Sequence, residues 1–355
     1  MIQSALSGDL PRSRILSFVL LAIFFALAFA PFLFSGSQPI NTAAKICIFI
    51  VLVASYDLLL GYTGIVSFAH TMFFGIGGYG VGLALYGWGA TWTSAGLGLA
   101  IALVVGAVLA FVIGLLSLRV RAIFFAMITL AVASAFAILA SQLSEYTGGE
   151  DGRSFRVPPL LRPGTVLLDM PAIGLRMDGR DLSYYLVFGA ALALLLAAFR
   201  IVNSPFGRVL QAIRENDFRA EALGYNVVYY RTVANCLAAG MAVLAGAMSA
   251  IWVRYTGPDT TLSFAIMLDI LLMVVIGGMG TLYGAVIGAT LFILAQNYLQ
   301  KLMAVGSEAT SALPLIPHLL HPDRWLLWLG VLFILSVYFF PNGIVGKLRD
   351  TARAR

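Results

Sequence analysis

The chain has 355 residues, of which 61% are hydrophobic and only 11% are charged. Soluble globular domains are about half apolar and about a quarter charged, so this composition excludes an ordinary soluble protein. The net charge is +6, but the basic residues form no patch with interleaved aromatic side chains, which argues against nucleic-acid binding. A basic excess in a membrane protein instead fits cytoplasmic loops that face anionic lipid. The sequence therefore predicts an all-α, polytopic helical protein whose surroundings are the lipid bilayer.

Apolar stretches recur along the whole chain. A helix that crosses the hydrocarbon core needs about 20 mainly apolar residues. This window gives about ten candidate transmembrane segments, at 15–34, 42–60, 64–86, 93–118, 122–144, 183–202, 231–252, 263–283, 284–302 and 324–340. They predict a single transmembrane domain, 1–355, in which the first apolar stretch stays as a signal anchor rather than being cleaved.

The distribution of Lys and Arg predicts the orientation. With the N-terminus inside, the segments on the cytoplasmic side carry 13 basic residues and those on the other side carry 9. Because short cytoplasmic loops carry the excess of Lys and Arg, we expect both termini in the cytoplasm. This orientation makes 145–182 an irregular external loop, 203–230 a cytoplasmic segment and 303–323 a weaker external stretch.

The cytoplasmic segment carries the clearest helix signals in the chain. Ser204 can cap a helix that starts at Pro205, and Gly224 can end a second helix in the left-handed conformation. The second helix is predicted to start after Asn216 or Asp217. One apolar face at helical spacing is formed by Phe206, Val209, Leu210 and Ile213. The segment therefore predicts two short helices that meet at a corner.

Two interpretations of this corner are open on physical grounds. Basic residues around an apolar stripe are typical of a hairpin lying on the membrane surface. Five Arg residues within 200–231, however, are accompanied by Glu215, Asp217 and Glu221. Mixed charge around an apolar stripe favours docking into a groove on a soluble protein, so a cytosolic partner is the preferred interpretation.

Glycine clusters mark two of the apolar segments. One lies within 64–86 and the other spans 277–284. Glycine in a helix interior costs about 1 kcal/mol relative to alanine, so a cluster indicates close helix packing or an interrupted helix that lines a cavity. Because the interruptions come in two halves of the chain, they favour a translocation path near the midplane.

Few ionisable groups lie at membrane depth, namely Lys45, Asp57, His70 and Asp269. Lys45 and Asp57 are compatible with the membrane interface, His70 with a core histidine or the path, and Asp269 with structural pairing or the path. The predicted path residues are Gly61, Gly64, Ser67, His70, Phe73, Gly77, Asp269, Gly277, Gly278 and Gly280.

Sequence motifs of catalysis and nucleotide binding are missing. The chain has no HExxH, no GxSxG, no paired Cys/His ligand set and no phosphate-binding loop of the GxxxxGK[ST] type. The sequence therefore predicts a protein that is not an enzyme and needs no cofactor or metal. If ATP drives it, another chain must bind the nucleotide.

Several stretches together resemble the permeases of the branched-chain amino acid importer family of bacterial ABC transporters, in particular the longer of the two paired permeases. The most specific is Ala212-Ile213-Arg214-Glu215-Asn216. The others include Leu60-Gly61-Tyr62-Thr63-Gly64, Phe73-Phe74-Gly75-Ile76-Gly77-Gly78-Tyr79, Ser204-Pro205-Phe206-Gly207-Arg208, Ile276-Gly277-Gly278-Met279-Gly280 and Phe340-Pro341-Asn342-Gly343-Ile344.

The resemblance implies a type II importer permease fold, like that of the vitamin B12 importer. It also implies a bacterial inner-membrane location, a shorter sister permease, two cytosolic ATP-binding subunits and a periplasmic solute-binding protein. The residues implied in coupling to the ATPase are Phe206, Gly207, Arg208, Ile213, Arg214, Glu215, Asn216, Asp217, Glu221, Leu223 and Gly224.

The expected function is ATP-driven import of branched-chain amino acids or a related small solute by alternating access. Members of the same family also move urea, amides or aromatic acids, so the solute stays open. The alternative from another class is a secondary transporter driven by an ion gradient, and a membrane-embedded enzyme is a third.

Overall fold

The structure is a computed structural model. It describes residues 13–33, 36–117, 122–170, 175–309, 321–340 and 343–353. Arg12, Arg119, Arg121, Pro341, Asn342 and most of the weak external stretch 303–323 lie outside the described residues.

Helices dominate the described part of the chain, which confirms the all-α prediction. In chain order they are α1 (Arg14–Ala28), α2 (Ala30–Leu33), α3 (Ser37–Thr63), α4 (His70–Gly87), α5 (Trp92–Ser117), α6 (Ala122–Gln142), α7 (Ser144–Thr147), α8 (Gly179–Val202), α9 (Pro205–Glu215), α10 (Asp217–Ala222), α11 (Val227–Val253), α12 (Pro258–Thr261), α13 (Phe264–Gly277), α14 (Leu282–Ala309), α15 (Trp325–Phe339) and α16 (Gly343–Arg353).

Short strands occur in and next to the 145–182 loop, which is therefore less irregular than the sequence predicts. They are β1 (Arg153–Ser154), β2 (Val166–Met170), β3 (Leu175–Asp178) and β4 (Tyr255–Thr256). Strand β1 pairs antiparallel with β4, with Arg153 opposite Thr256, and β2 pairs antiparallel with β3. The β1–β4 pair ties the loop to the chain that follows α11.

Seven helices among the described residues are long and apolar enough to cross a membrane, against about ten predicted segments. They are Ser37–Thr63, Trp92–Leu115, Ile123–Gln142, Gly179–Val202, Val227–Val253, Pro258–Gly277 and Leu282–Glu308. The other three predicted segments correspond to α1, α4 and α15, which have 15, 18 and 15 residues. The polytopic class is confirmed, whereas the count of ten is not.

The contacts divide the described residues into two compact units, one within 47–270 and the other within 13–46 and 271–353. In the first unit, α4 is almost wholly buried and packs against α5 and α11. Glycines permit this close packing. A Cβ atom on Gly77 would lie 1.9 Å from the Val243 carbonyl oxygen, and one on Gly246 would lie 1.8 Å from the Phe74 carbonyl oxygen.

In the second unit, α14 contacts α1, α15 and α16. The Lys45 ammonium donates a hydrogen bond to Gln296 Oε1 at 2.8 Å, and Lys301 donates to Gln38 Oε1 at 2.6 Å. Lys45 is therefore hydrogen-bonded to a side chain of α14. The sequence alone suggested only a position near the membrane interface.

Candidate translocation and coupling sites

The corner, residues 205–224, has the helix ends that the sequence predicts. The Ser204 hydroxyl accepts a hydrogen bond from the Gly207 N–H at 3.3 Å, and Pro205 occupies the first turn of α9. Asn216 Oδ1 accepts from the Arg219 N–H at 2.9 Å and so caps α10. Gly224 has φ +90°, the left-handed conformation that glycine adopts at low cost.

The apolar stripe of the corner faces the protein itself. Leu210 is 0% exposed and Ile213 is 1% exposed. Ile213 packs with Ala220 and with Val227, the first residue of α11. Because this stripe is covered, it cannot enter a groove on a partner, and Ile213 supports the corner from within.

Two further predicted coupling residues also support the corner. Gly207 is buried, and a Cβ atom there would lie 2.1 Å from the Val202 carbonyl oxygen at the end of α8. The half-buried Phe206 ring stacks on Tyr230 with their centroids 5.6 Å apart. These contacts attach the corner to α8 and α11.

The opposite side of the corner is open to solvent. Of the predicted coupling residues, the exposed ones are Arg208, Arg214, Glu215, Asn216, Glu221, Leu223 and Gly224. Asp217 is half-buried, and its carboxylate lies 3.7 Å from the Arg231 guanidinium. Phe218, which the sequence analysis missed, is 82% exposed, and Leu223 is 71% exposed. Phe218 was not predicted because it lies outside the apolar stripe, but aromatic side chains are enriched at protein interfaces.

The first interruption, residues 64–69, separates α3 from α4. Gly64 has φ +73°, so the chain leaves the helix in a conformation that side-chain-bearing residues rarely adopt. The Phe68 N–H donates to the Thr129 hydroxyl of α6 at 3.1 Å, and the Ala69 N–H donates to the Ser67 hydroxyl at 3.3 Å. Side chains thus provide hydrogen bonds that a continuous helix would make within its own backbone.

The interruption lies nearer to the N-terminus than the glycine cluster suggests. Gly75, Gly77, Gly78, Gly80 and Gly82 all lie within α4, which is continuous. Gly77, predicted on the path, contacts the backbone of α11 and serves close packing. Within the 64–86 segment, residues 64–69 therefore form an interruption, whereas glycines of α4 serve close helix packing.

Arg214 of the corner reaches the first interruption. Its guanidinium donates a hydrogen bond to the carbonyl oxygen of Gly61, in the last turn of α3. A Cβ atom on Gly64 would lie 3.4 Å from the Arg214 Cγ atom. The structure therefore brings Gly61, Gly64 and Arg214 together, although they are far apart in sequence.

Buried polar and aromatic groups surround the interruption. Ser67, His70 and Phe73 are 0% exposed, and Asp57 on α3 is 1% exposed. The His70 ring meets the Tyr56 ring edge-on, with the centroids 4.9 Å apart. Asp57 is thus buried inside the protein rather than exposed at the edge of a helix.

The second interruption, residues 278–281, separates α13 from α14. Gly278 and Gly280 have φ +115° and +79°, and the Thr281 hydroxyl donates to the Gly278 carbonyl oxygen at 2.8 Å. Gly277 packs on Gly284, since a Cβ atom on Gly277 would lie 2.0 Å from the Gly284 carbonyl oxygen. Both predicted breaks therefore exist in the structure.

The C-terminal helix α16 contacts this second interruption. A Cβ atom on Gly343 would lie 2.2 Å from the Gly278 Cα atom. Gly277, Gly278 and Gly280 belong to the second unit, whereas the half-buried Asp269 belongs to the first. The predicted path residues thus fall into two groups, one in each unit. Among the described residues, no group of three or more His, Cys, Asp or Glu side chains is placed to hold a metal ion.

A set of membrane-length helices, with two interrupted spans and an amphipathic corner attached to one of them, defines a polytopic transport permease. The chain belongs to the family described as branched-chain amino acid transport system / permease component, whose model matches residues 38–337. The predicted family and function are confirmed at this level, and the chain is a multi-pass membrane protein of the permease class.

Three curated relatives support the assignment. The chain is 26% identical over 368 aligned residues to the high-affinity branched-chain amino acid transport system permease protein LivM of Salmonella typhimurium, covering 100% of this chain and 80% of the relative. The same figures hold for LivM of Escherichia coli. A probable LivM of Methanocaldococcus jannaschii is 27% identical over 154 residues, or 41% of each chain. No solved structure is significantly similar to the chain.

Proposed function

We propose that this chain is one transmembrane permease subunit of an ATP-driven importer for branched-chain amino acids or a chemically related small solute. The support is the family membership together with relatives that are named as branched-chain amino acid permeases. ATP hydrolysis belongs to partner chains, since the sequence has no phosphate-binding loop.

The proposed partners are a shorter sister permease, two cytosolic ATP-binding subunits and a periplasmic solute-binding protein. The exposed side of the corner can dock into a groove on an ATPase subunit, because Phe218 and Leu223 are solvent-exposed apolar side chains among exposed charged residues. The location is the bacterial inner membrane with both termini in the cytoplasm, as the excess of Lys and Arg on that side supports.

The observation that carries the proposed route of coupling is the hydrogen bond between Arg214 and Gly61. It joins the corner to the end of α3, directly before a non-helical segment. Residues 64–69 lack a continuous helical ladder, so this segment bends more easily than the helices on either side. Closure of the ATPases on ATP would move the corner, and Arg214 would transmit that movement to the interruption, opening the path alternately to each side.

The test is uptake by the complete importer in proteoliposomes, with radiolabelled leucine and purified binding protein outside and ATP inside. We expect uptake with ATP and none with a non-hydrolysable analogue or with an ATPase subunit whose phosphate-binding lysine is replaced. Imposing a proton or sodium gradient is expected to change nothing. Uptake that follows the ion gradient without ATP would establish a secondary transporter instead.

A further inference from the structure

A cleft of about 500 Å³ opens in the first unit beside the first interruption. Its lining comes from Phe68 and Thr71, from α6, from Glu150 of the 145–182 loop and from residues between 258 and 264 at the start of the membrane-length helix Pro258–Gly277. We call it the Thr71 cleft. Its volume is within the range of about 300–1,000 Å³ that is typical of small-molecule sites.

The walls of the Thr71 cleft combine apolar and polar side chains. Phe68 lies at one end, and its ring packs against Phe264 with the centroids 6.0 Å apart. Ala137 and Leu262 contribute aliphatic wall. Besides Thr71 and two acids, the polar side chains that line the cleft are Ser134, Ser141, Gln142 and Ser263. A lining that combines apolar and polar side chains suits an amphipathic small molecule.

Two carboxylates, Glu150 and Asp259, line the cleft, and both side chains are solvent-exposed. Among the described residues, no Lys, Arg or His side chain lines it. The opening of the cleft is therefore negatively charged, and it attracts a cationic group such as an ammonium.

An independent observation comes from Thr71 itself. This residue is 2% exposed and lines the cleft. Within the described part of the chain, its hydroxyl has no hydrogen-bond partner, whereas the buried Ser and Thr hydroxyls of Ser55, Thr63 and Ser67 each make one. The Thr71 hydroxyl therefore opens into the cleft with its hydrogen-bonding capacity unused by the protein, so it is available to a ligand there.

We propose that the Thr71 cleft is where this subunit receives the solute, an α-amino acid with an aliphatic side chain. Glu150 and Asp259 face the ammonium, the Thr71 hydroxyl donates to the carboxylate, and Ala137 and Leu262 contact the side chain. The proposal rests on the proposed function and adds a ligand chemistry to it. Phe68 belongs to both the cleft and the first interruption, and Arg214 is hydrogen-bonded to Gly61 in the helix turn just before that interruption. Filling of the cleft and movement of the corner therefore act on the same six residues, 64–69.

Binding is measured by saturation-transfer-difference NMR on the assembled importer in nanodiscs, without the binding protein, so that only the permease contributes. We expect leucine to bind, leucine amide to compete with it, and 4-methylpentanoate, which lacks the ammonium, not to compete. Equal competition by 4-methylpentanoate would overturn the proposal. This comparison uses the unaltered importer, so it does not depend on the folding of a variant.

The double variant Glu150→Gln, Asp259→Asn should weaken leucine binding by at least about tenfold, a modest loss for two exposed charge-assisted contacts. Glu145→Gln removes an exposed acid of the same loop that does not line the cleft, and it should bind leucine as the unaltered importer does. Equal binding by the double variant would overturn the assignment of the two carboxylates. So would loss of the sister permease from the purified double variant, because it would make the cleft a subunit contact.

ATP-driven leucine uptake by the unaltered importer, measured on the same preparation, separates the two proposals. If uptake is present while the NMR results contradict the cleft, only the cleft assignment fails. If uptake is absent, the proposed function fails and the ligand assignment fails with it.

Discussion

The contact between Arg214 and Gly61 predicts that ATP hydrolysis and solute movement are separable by a single substitution. A hydrogen bond from a charged donor contributes about 1.5–3 kcal/mol when it is well buried. The Arg214 side chain is exposed overall and its contact is part-buried, so solvent reduces this to about 1–2 kcal/mol. Such a loss corresponds to a factor of roughly 5–30 in an equilibrium between coupled and uncoupled states.

Arg214→Met keeps the length of the side chain and removes its donors. We expect it to lower the leucine transported per ATP hydrolysed by roughly 5- to 30-fold, with the ATPases still bound. Arg214→Lys, which retains a donor, should lose less. The measurement is radiolabelled leucine uptake and phosphate release in the same proteoliposomes.

The matched control is Arg219→Met, which removes an exposed arginine from the other helix of the corner. It should leave the ratio of leucine to ATP unchanged. If Arg214→Met transports with the same ratio as Arg219→Met, the corner does not act on the first interruption through this hydrogen bond. The proposed route of coupling is then refuted.

On α11, Gly246→Ala should lower the thermal unfolding temperature in detergent by overpacking worth about 1–3 kcal/mol, because its Cβ atom would lie 1.8 Å from a backbone carbonyl oxygen. Gly240→Ala, which meets nothing within 4 Å, should be neutral or stabilising, and equal losses in both would contradict the packing argument. Phe218→Ser should reduce the amount of ATPase that copurifies with the permease, since that side chain is 82% exposed on the corner. Tyr146→Ser, the control, should leave the amount of copurified ATPase unchanged. Equal amounts of ATPase with the two variants would exclude Phe218 from the docking surface. With the native cysteines replaced by serine and the permease produced without the ATPase subunits, Glu221→Cys should react with a membrane-impermeant maleimide in inside-out vesicles and not in intact cells. The reverse pattern would place the corner outside.

The class of the protein follows from the sequence because lipid imposes strict demands on composition. Only helices satisfy their own backbone hydrogen bonds in a bilayer, so long apolar stretches predict helices without any knowledge of their packing. The ends of the corner were predictable for a related reason. Ser204, Asn216 and Gly224 act on backbone groups within three residues, so their effect is local and is visible in the sequence.

Packing partners decided which glycines interrupt a helix and which do not. Gly64 and Gly77 look alike in the sequence, yet Gly64 takes a left-handed conformation while Gly77 remains helical against the backbone of α11. Only the position of α11, which is remote in sequence, distinguishes these two roles.

Which side of the corner is buried likewise depends on the tertiary structure. Its stripe at Leu210 and Ile213 is apolar enough to suit either a partner or the protein's own helices, and only the docking of α9 on α11 shows that the stripe is buried. That docking also turns Arg214 towards Gly61. The sequence by itself determined that a helical permease with two interruptions and an amphipathic corner would form, because those properties depend on near neighbours and on solvent. The tertiary structure alone decided which interruption the corner holds, because that depends on groups that meet only after the helices have packed.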